Sequence, residues 1–168
     1  SNKNDEISQF ESEMANFLDT KYFSFFESGA SALHSALITC DVSYGDEVIV
    51  PAWTFAAPAF QVIRTGAIPI FADVKEDTYN IDEGQVEELL NKFKKVKAII
   101  AVNMQGYPSN LKKLREIADK YKVKLIEDCA QAFGAKIDDK YVGTYGDIGC
   151  FSFMSVKQLA SCGELGGL

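Results

Sequence analysis

Short apolar segments alternate with longer amphipathic segments along most of the 168-residue chain. The short segments, such as residues 48–50 and 98–102, are apolar at every position, which is typical of strands buried on both faces. The longer segments, such as residues 111–121, repeat apolar side chains at helical spacing. The alternation predicts an α/β fold: a three-layer α/β/α arrangement with a mostly parallel sheet and helices on both of its faces.

The pattern also gives approximate bounds for the elements. We predict helices near residues 7–18, 28–40, 56–64, 83–93 and 111–121. We predict strands at residues 22–26, 48–50, 68–71, 98–102 and 123–126. Residues 143–153 predict shorter strands and turns, and the spaced glycines Gly143, Gly146 and Gly149 are interpreted as turn residues.

Composition and charge restrict the class of protein. Hydrophobic residues make up 47% and charged residues 24% of the chain, which predicts one globular domain over residues 1–168. Seventeen Lys and Arg against 24 Asp and Glu give a net charge of −7, which argues against a nucleic acid or an acidic membrane surface as partner. The polar first residues and the lack of a long apolar run predict neither a signal peptide nor a membrane span.

The cysteines and the histidine argue against a metal site. Cys40, Cys129, Cys150 and Cys162 are far apart, and the chain has one histidine, His34. Neither a zinc ribbon nor a disulfide framework fits this spacing. The sequence therefore predicts a cytoplasmic protein with reduced thiols and no metal.

Ligands of parallel α/β sheets bind beyond the carboxyl ends of the strands, so the residues that follow strands are the candidates for a site. These residues are 28–31, 51–55, 128–131 and 152–157. Residues 28–31 fit either an anion site at a helix start or a simple N-cap. Asp128 fits either a charge partner for a ligand cation or a strand-end cap or salt bridge, and Lys157 fits either a Schiff-base amine or a solvated lysine.

Two aromatic residues follow the strand at 48–50. Phe55 and Trp53 fit either stacking on a planar ring or packing in the core. A nicotinamide dehydrogenase is excluded, because the chain has no G-x-G-x-x-G fingerprint with an acidic residue at suitable spacing.

Taken in order, several short motifs resemble one enzyme family. They are SGASAL at 28–33, GDEVIVP at 45–51, EDCAQA at 127–132, GTYGDI at 143–148, FSF at 151–153, Lys157, and GE at 163–164. From about Phe10 to the last residue the chain resembles the DegT/DnrJ/StrS-type nucleotide-sugar aminotransferases. These enzymes depend on pyridoxal 5'-phosphate (PLP) and have fold type I, that of the aspartate aminotransferase superfamily.

The resemblance implies roles for individual residues. Lys157 matches the lysine that binds the cofactor covalently, and Asp128 matches the aspartate that pairs with the protonated pyridine nitrogen; both are implied to be catalytic. Gln131 matches a residue near the ring hydroxyl, and Phe55 matches the aromatic that stacks on the ring. Phosphate binding is implied for three positions, Ala30, Ser31 and Ser152.

The resemblance also implies an activity: transfer of an amino group from an amino acid, with glutamate as the expected donor, to a keto group of a nucleotide-linked sugar. Family members are usually homodimers more than twice as long as this chain, so the resemblance implies a partial large domain without the small C-terminal domain. Cys162, Leu165 and Phe133 depart from the family pattern of small residues after the lysine and histidine after the glutamine.

Two further interpretations stay open at this point. One is a PLP-dependent sugar dehydratase of the same family, which Lys157 opposes because such enzymes typically have histidine there. The other is an α/β fragment that binds cofactor without turning over.

Overall fold

The computed structural model describes the backbone of residues 3–168 and the side chains from Asp5 onward. The helices are α1 Lys3–Leu18, α2 Gly29–Thr39, α3 Ala57–Arg64, α4 Glu83–Lys92 and α5 Leu111–Tyr121, with a short 3₁₀ helix at Met104–Gly106. The strands are β1 Phe25–Phe26, β2 Glu47–Pro51, β3 Ile68–Ala72, β4 Val96–Val102, β5 Lys124–Asp128, β6 Lys136–Ile137, β7 Lys140–Tyr141, β8 Ile148–Ser152 and β9 Gly166–Gly167.

Seven of these strands form one sheet in the order β1-β9-β8-β5-β4-β2-β3. The five strands from β8 to β3 pair in parallel, whereas β9 pairs antiparallel with both β8 and β1. The sheet is therefore mostly parallel, which confirms the predicted class. β6 and β7 form a separate antiparallel hairpin.

Each central strand sends alternate side chains into two separate cores, as a strand covered on both faces must. Ile49 packs with the core under α1, α4 and α5, while its neighbours Val48 and Val50 pack with the core under α2 and α3. β5 divides in the same way, because Leu125 joins the first core and Ile126 the second. The predicted three-layer α/β/α architecture is confirmed.

The predicted strand at residues 22–26 is shorter in the structure. β1 contains Phe25 and Phe26, which pair with Gly167 and Gly166 of β9, and Ser24 also exchanges two backbone hydrogen bonds with Leu168. Gly143 has a positive φ of 88° in a turn, as interpreted, but Gly149 lies inside β8. A Cβ on Gly149 would lie 2.1 Å from the carbonyl oxygen of Gly143, so packing rather than turn geometry requires this glycine.

None of the helices within residues 3–168 has both the length and the apolar character needed to cross a bilayer. The parallel strands β2, β4, β5 and β8 all end at the same edge of the sheet, next to the start of α2. This edge holds the candidate site.

Candidate active site

A cavity of about 150 Å³ lies at the carboxyl edge of the sheet. Six of the seven residues predicted to form a site line it: Ala30, Phe55, Asp128, Gln131, Ser152 and Lys157. The seventh, Ser31, lies beside the cavity in the first turn of α2 and is not part of its lining. The fold thus brings together residues that are up to 127 positions apart in sequence, from Ala30 to Lys157.

The start of α2 presents backbone N–H groups to this cavity. Ser28 is the N-cap, and its side chain accepts a hydrogen bond from the N–H of Ser31 at 3.2 Å. The first intrahelical bond runs from the Ala32 N–H to the Ser28 carbonyl, so the N–H groups of Gly29 and Ala30 have no carbonyl partner in the helix. Both residues line the cavity, where these donors favour an anion.

The hydroxyl groups of this first turn are connected to a carboxylate. Ser28 Oγ and Ser31 Oγ lie 3.1 Å apart, and Ser31 Oγ donates to Glu27. This hydrogen bond from Ser31 holds the pKa of Glu27 below its usual value. The N-cap interpretation and the anion-site interpretation of residues 28–31 are therefore compatible, because the cap uses the Ser31 N–H and leaves two others.

Ser152 faces the start of α2 from the end of β8. A Cβ added to Gly29 would lie 2.7 Å from the Ser152 Cβ, so the strand and the helix start are in close contact. Among the described residues, the Ser152 hydroxyl has no hydrogen-bond partner. A half-buried free hydroxyl beside two free N–H groups adds a third donor for an anion.

Asp128 lies at the end of β5 and is only 9% exposed. Its Oδ1 accepts a hydrogen bond from the Ala130 N–H at 3.0 Å. Burial raises the pKa of Asp128, while the Ala130 N–H and the positive charge of Lys157 act against that rise. A buried carboxylate with one backbone donor is suited to a cationic ligand group.

Lys157 lies in the loop after β8 and is half-buried. Within the described part of the chain, its amine makes no hydrogen bond or ion pair, although its backbone N–H donates to the Met154 carbonyl at 2.8 Å. An unpaired amine in the cavity that also contains Asp128 is available to a ligand carbonyl.

Glu127, the residue before Asp128, does not line the cavity and instead accepts hydrogen bonds from the backbone of a neighbouring loop. It is fully buried, and its two carboxylate oxygens accept the N–H groups of Gly143, Tyr145 and Gly146, each at 2.6 Å. Burial raises the pKa of Glu127 and these N–H groups oppose the rise. The carboxylate fixes the loop that leads into β8, and hence the strand that carries Ser152.

Gln131 connects three loops around the cavity. Its Oε1 accepts the N–H of Gln105 at 3.2 Å, and its carbonyl accepts a hydrogen bond from the Gln158 side chain at 2.5 Å. Gln158 follows Lys157 directly, so this second bond ties the lysine loop to the segment after β5. Gln105 adopts a left-handed conformation with φ 51°.

Neither aromatic residue after β2 belongs to the core. Phe55 is 75% exposed and lines the cavity, which leaves its ring free to cover a planar ligand. Trp53 is 59% exposed, its ring lies 6.2 Å from that of Tyr79, and it does not line the cavity.

Two polar residues of the cavity, Thr54 and Glu164, were given no individual role in the sequence analysis. Thr54 Oγ1 is buried without a hydrogen-bond partner among the described residues, and Glu164 adds a carboxylate to the lining. Thr54 lies within the segment that follows β2, and Glu164 lies within the GE motif. Both positions therefore lie in segments that the sequence analysis had singled out, but a threonine or a glutamate there does not by itself predict a particular contact.

The complete arrangement has three chemical features. Two backbone N–H groups and the Ser152 hydroxyl are free donors that favour an anion, and Asp128 offers a buried negative charge. Lys157 supplies a free amine in the same cavity, which the exposed Phe55 ring also lines. Such a site suits a planar, cationic, phosphate-bearing carbonyl compound.

A family model described as the DegT/DnrJ/EryC1/StrS aminotransferase family matches residues 1–168. The chain belongs to this family. Among similar proteins is the GDP-perosamine synthase of Vibrio cholerae, 37% identical over 155 residues, an alignment that covers 92% of this chain and 42% of the relative. Another is the UDP-N-acetyl-3-dehydro-alpha-D-glucosamine 3-aminotransferase of Acidithiobacillus ferrooxidans, 42% identical over 139 residues and covering 83% of this chain and 37% of the relative.

Among solved structures, NtdA of Bacillus subtilis with bound cofactor PMP is 34% identical and superposes with a TM-score of 0.90. The match covers 96% of this chain and 36% of NtdA. The chain therefore spans about two fifths of the length of the curated relatives it matches.

Proposed function

We propose that this chain supplies most of one subunit's cofactor contacts in a pyridoxal-phosphate-dependent aminotransferase that acts on nucleotide-linked keto sugars. One observation carries the proposal: Lys157 and Asp128 share one cavity with the start of α2 and with Ser152. The family membership and the PMP-bound relative support it. When bound, pyridoxal phosphate supplies an electron sink for negative charge at the amino acid's α-carbon.

The polar groups of the cavity fit that cofactor. The N–H groups of Gly29 and Ala30 and the unpartnered Ser152 hydroxyl are donors for its phosphate. The exposed Phe55 ring is free to stack on the pyridine, and Gln131 lines the same cavity, where we propose that it lies near the ring hydroxyl. The N–H and hydroxyl of Ser31 are engaged by Ser28 and Glu27, so the phosphate contact for Ser31 stays a prediction.

We propose different roles for Asp128 and Lys157 in the reaction. Asp128 would keep a proton on the pyridine nitrogen, because a buried carboxylate is stabilised by an adjacent positive charge. The Lys157 amine would hold the cofactor through its carbonyl carbon, with loss of water, and, once displaced by the donor's amine, would move a proton between the donor's α-carbon and that cofactor carbon. Both residues are therefore proposed as catalytic.

The substrate class comes from the relatives. The two described above are named as a GDP-perosamine synthase and a UDP-sugar 3-aminotransferase, which differ in nucleotide and sugar. We propose a nucleotide-linked keto sugar as acceptor and an amino acid, with glutamate expected, as donor.

The sugar dehydratase interpretation is weaker, because the position where such enzymes typically have histidine holds Lys157, which lines the cavity. The only histidine of the chain, His34, lies in α2 and does not line the cavity. A non-catalytic cofactor-binding fragment remains the alternative for this segment tested in isolation.

We further propose a cytoplasmic homodimer whose large domain contains this segment. Phe60 and Ile63 on α3, and Ile68 and Phe71 on the edge strand β3, are more than half exposed. A second subunit would remove these apolar side chains from water.

Visible absorption of the whole protein tests the cofactor assignment. Added pyridoxal phosphate should give an absorption band that disappears on treatment with borohydride, after which a peptide containing Lys157 carries the reduced cofactor by mass. Adding glutamate should bleach the band and yield 2-oxoglutarate, and a nucleotide-linked keto sugar should restore it.

Lys157→Ala should abolish the band, and Lys122→Ala is a suitable control because Lys122 is exposed at the end of α5. A band that persists in Lys157→Ala would assign the attachment to another lysine. A normal band with no bleaching by any amino acid would favour the non-catalytic fragment.

A further inference from the structure

Two hydroxyl groups at the start of α2 are directed toward a carboxylate outside the cavity. Ser31 Oγ is the donor to Glu27, because an ionised carboxylate can only accept. That bond uses the single hydroxyl hydrogen of Ser31, so Ser28 is the donor in the 3.1 Å contact between the two hydroxyl oxygens. Both hydroxyl hydrogens are therefore part of one chain of hydrogen bonds that ends on Glu27.

This chain of bonds competes with a ligand. Ser28 lines the cavity, but its hydroxyl hydrogen is committed to Ser31, and its oxygen accepts the Ser31 N–H at 3.2 Å. Glu27 itself is exposed and lies outside the cavity lining. The hydrogen bond from Ser31 and the positive charge of Arg64 both favour its ionised form, so the arrangement persists at neutral pH.

We propose that Glu27 weakens phosphate binding at the start of α2 and thereby limits how tightly the protein holds its phosphorylated cofactor. The inference rests on the proposed function, since it assumes that the cofactor's phosphate occupies this end of the cavity. Two effects act together. Glu27 engages the hydroxyl hydrogens of Ser28 and Ser31, so they are not available to the anion. Its negative charge also lies near the anion, separated from it only by these two hydroxyl groups.

Two substitutions separate these effects. Glu27→Gln removes the charge but keeps an oxygen that accepts from Ser31, so binding should tighten by about threefold, as expected for one exposed charge. Glu27→Ala also frees the hydroxyl hydrogens, and binding should tighten by about tenfold, the equivalent of one net hydrogen bond. A substitution that merely disturbed the local structure would weaken binding instead.

The measurement is the dissociation constant of pyridoxal phosphate, and separately of inorganic phosphate, for the whole protein after its cofactor has been dialysed out. Glu88→Ala is the matched control, because Glu88 is an exposed glutamate on α4 that accepts only from Gln85 at 3.1 Å among the described residues. In a Ser31→Ala background, Glu27→Ala should give only the threefold effect of the charge. Equal or weaker binding in both Glu27 variants, with normal thermal unfolding, would overturn the inference.

Ser152→Ala separates failure of this inference from failure of the proposed function. If Ser152→Ala weakens the binding of both probes while the Glu27 variants bind as the unmodified protein does, only the role of Glu27 is wrong. If neither Ser152→Ala nor Lys157→Ala changes pyridoxal phosphate binding, the proposed function is wrong and the inference is wrong with it.

Discussion

Gly29 and Ser152 approach each other so closely that a Cβ on Gly29 would lie 2.7 Å from the Cβ of Ser152. The same added atom would lie 3.2 Å from the carbonyl oxygen of Phe151. Since Phe151 and Ser152 belong to β8 and Gly29 begins α2, this contact sets the distance between the N–H groups of the helix and the serine hydroxyl. The geometry of the anion site thus depends on the absence of a side chain at position 29.

Gly29→Ala is expected to push α2 away from β8. Overpacking of this kind typically lowers the free energy of unfolding by about 1–3 kcal/mol. The displaced donors should also weaken phosphate binding, which a titration with pyridoxal phosphate measures. Gly163→Ala is the control, because a Cβ there meets no atom within 4 Å among the described residues. Unchanged stability and affinity in Gly29→Ala would show that the contact has no such role.

Asp128→Asn should increase stability while it reduces activity. Burial raises the pKa of Asp128 in the folded protein above its unfolded value, so its ionisation destabilises the fold as the pH rises above about 4. Asparagine removes that charge and keeps an oxygen for the Ala130 N–H. We expect a higher melting temperature for the cofactor-free protein at pH 7, and transamination by the whole protein reduced by about 100-fold or more.

The pH dependence provides the check on Asp128. The gain in melting temperature should shrink below about pH 4, where the aspartate is protonated in both states. Near-normal transamination by Asp128→Asn would contradict the proposed catalytic role, whatever the change in stability.

Glu127→Gln should have the opposite effect on stability, although Glu127 is the neighbour of Asp128. Its carboxylate accepts hydrogen bonds from three backbone N–H groups. In Glu127→Gln the amide NH₂ would face at least one of these N–H groups, and two donors cannot form a hydrogen bond with each other. Leaving a buried donor without a partner costs about 1–3 kcal/mol of unfolding free energy. Chemical denaturation of Glu127→Gln and Asp128→Asn, measured in parallel, gives the change in the free energy of unfolding for each variant. Changes of the same sign in both variants would contradict the distinct roles of the two carboxylates.

Asp147 should make the fold sensitive to acid. Burial raises its pKa, but hydrogen bonds from Arg115, the Leu125 N–H and Lys124 outweigh burial and lower the pKa to about 2. Because the folded pKa lies below the unfolded value of about 3.9, this stabilisation is present above pH 4 and is lost as the pH falls toward 2.

Unfolding measured between pH 2 and pH 7 tests the role of Asp147. Asp147→Asn should be less stable at pH 7 and should show a weaker loss of stability between pH 4 and pH 2 than the unmodified protein. Asp139→Asn is a control, because Asp139 is exposed and makes no hydrogen bond or ion pair among the described residues. Parallel pH curves for the unmodified protein and Asp147→Asn would exclude this role.

Most of the architecture could be predicted because hydrophobic periodicity is a local property. The helix at residues 111–121 has the predicted bounds, and the buried strands at 48–50 and 98–102 were placed within two residues of theirs. The strand order could not be predicted this way, because nothing in residues 96–102 specifies that β4 lies between β2 and β5. The partner of β1 could not be predicted for the same reason, since β9 lies more than 130 positions away in sequence.

The candidate site was predictable to the extent that site residues follow strands. Asp128 and Ser152 end parallel strands, and such strands end at one edge of the sheet. The resemblance in motif order assigned roles to Lys157 and Phe55, whose position after a strand had left two interpretations open for each. The orientation of side chains was not predictable, as the unpartnered Thr54 and the Ser28–Ser31–Glu27 chain of hydrogen bonds illustrate.

By itself, the sequence determined the fold class and the candidate site residues, because hydrophobic periodicity and residue type are properties of the sequence alone. Only the tertiary structure decided which of two adjacent carboxylates faces the cavity and which holds a loop. Glu127 and Asp128 are identical in charge and neighbouring in sequence, but successive side chains of a strand point to opposite faces of a sheet. Their separate roles therefore depend on what packs against each face, and that is set by contacts between distant parts of the chain.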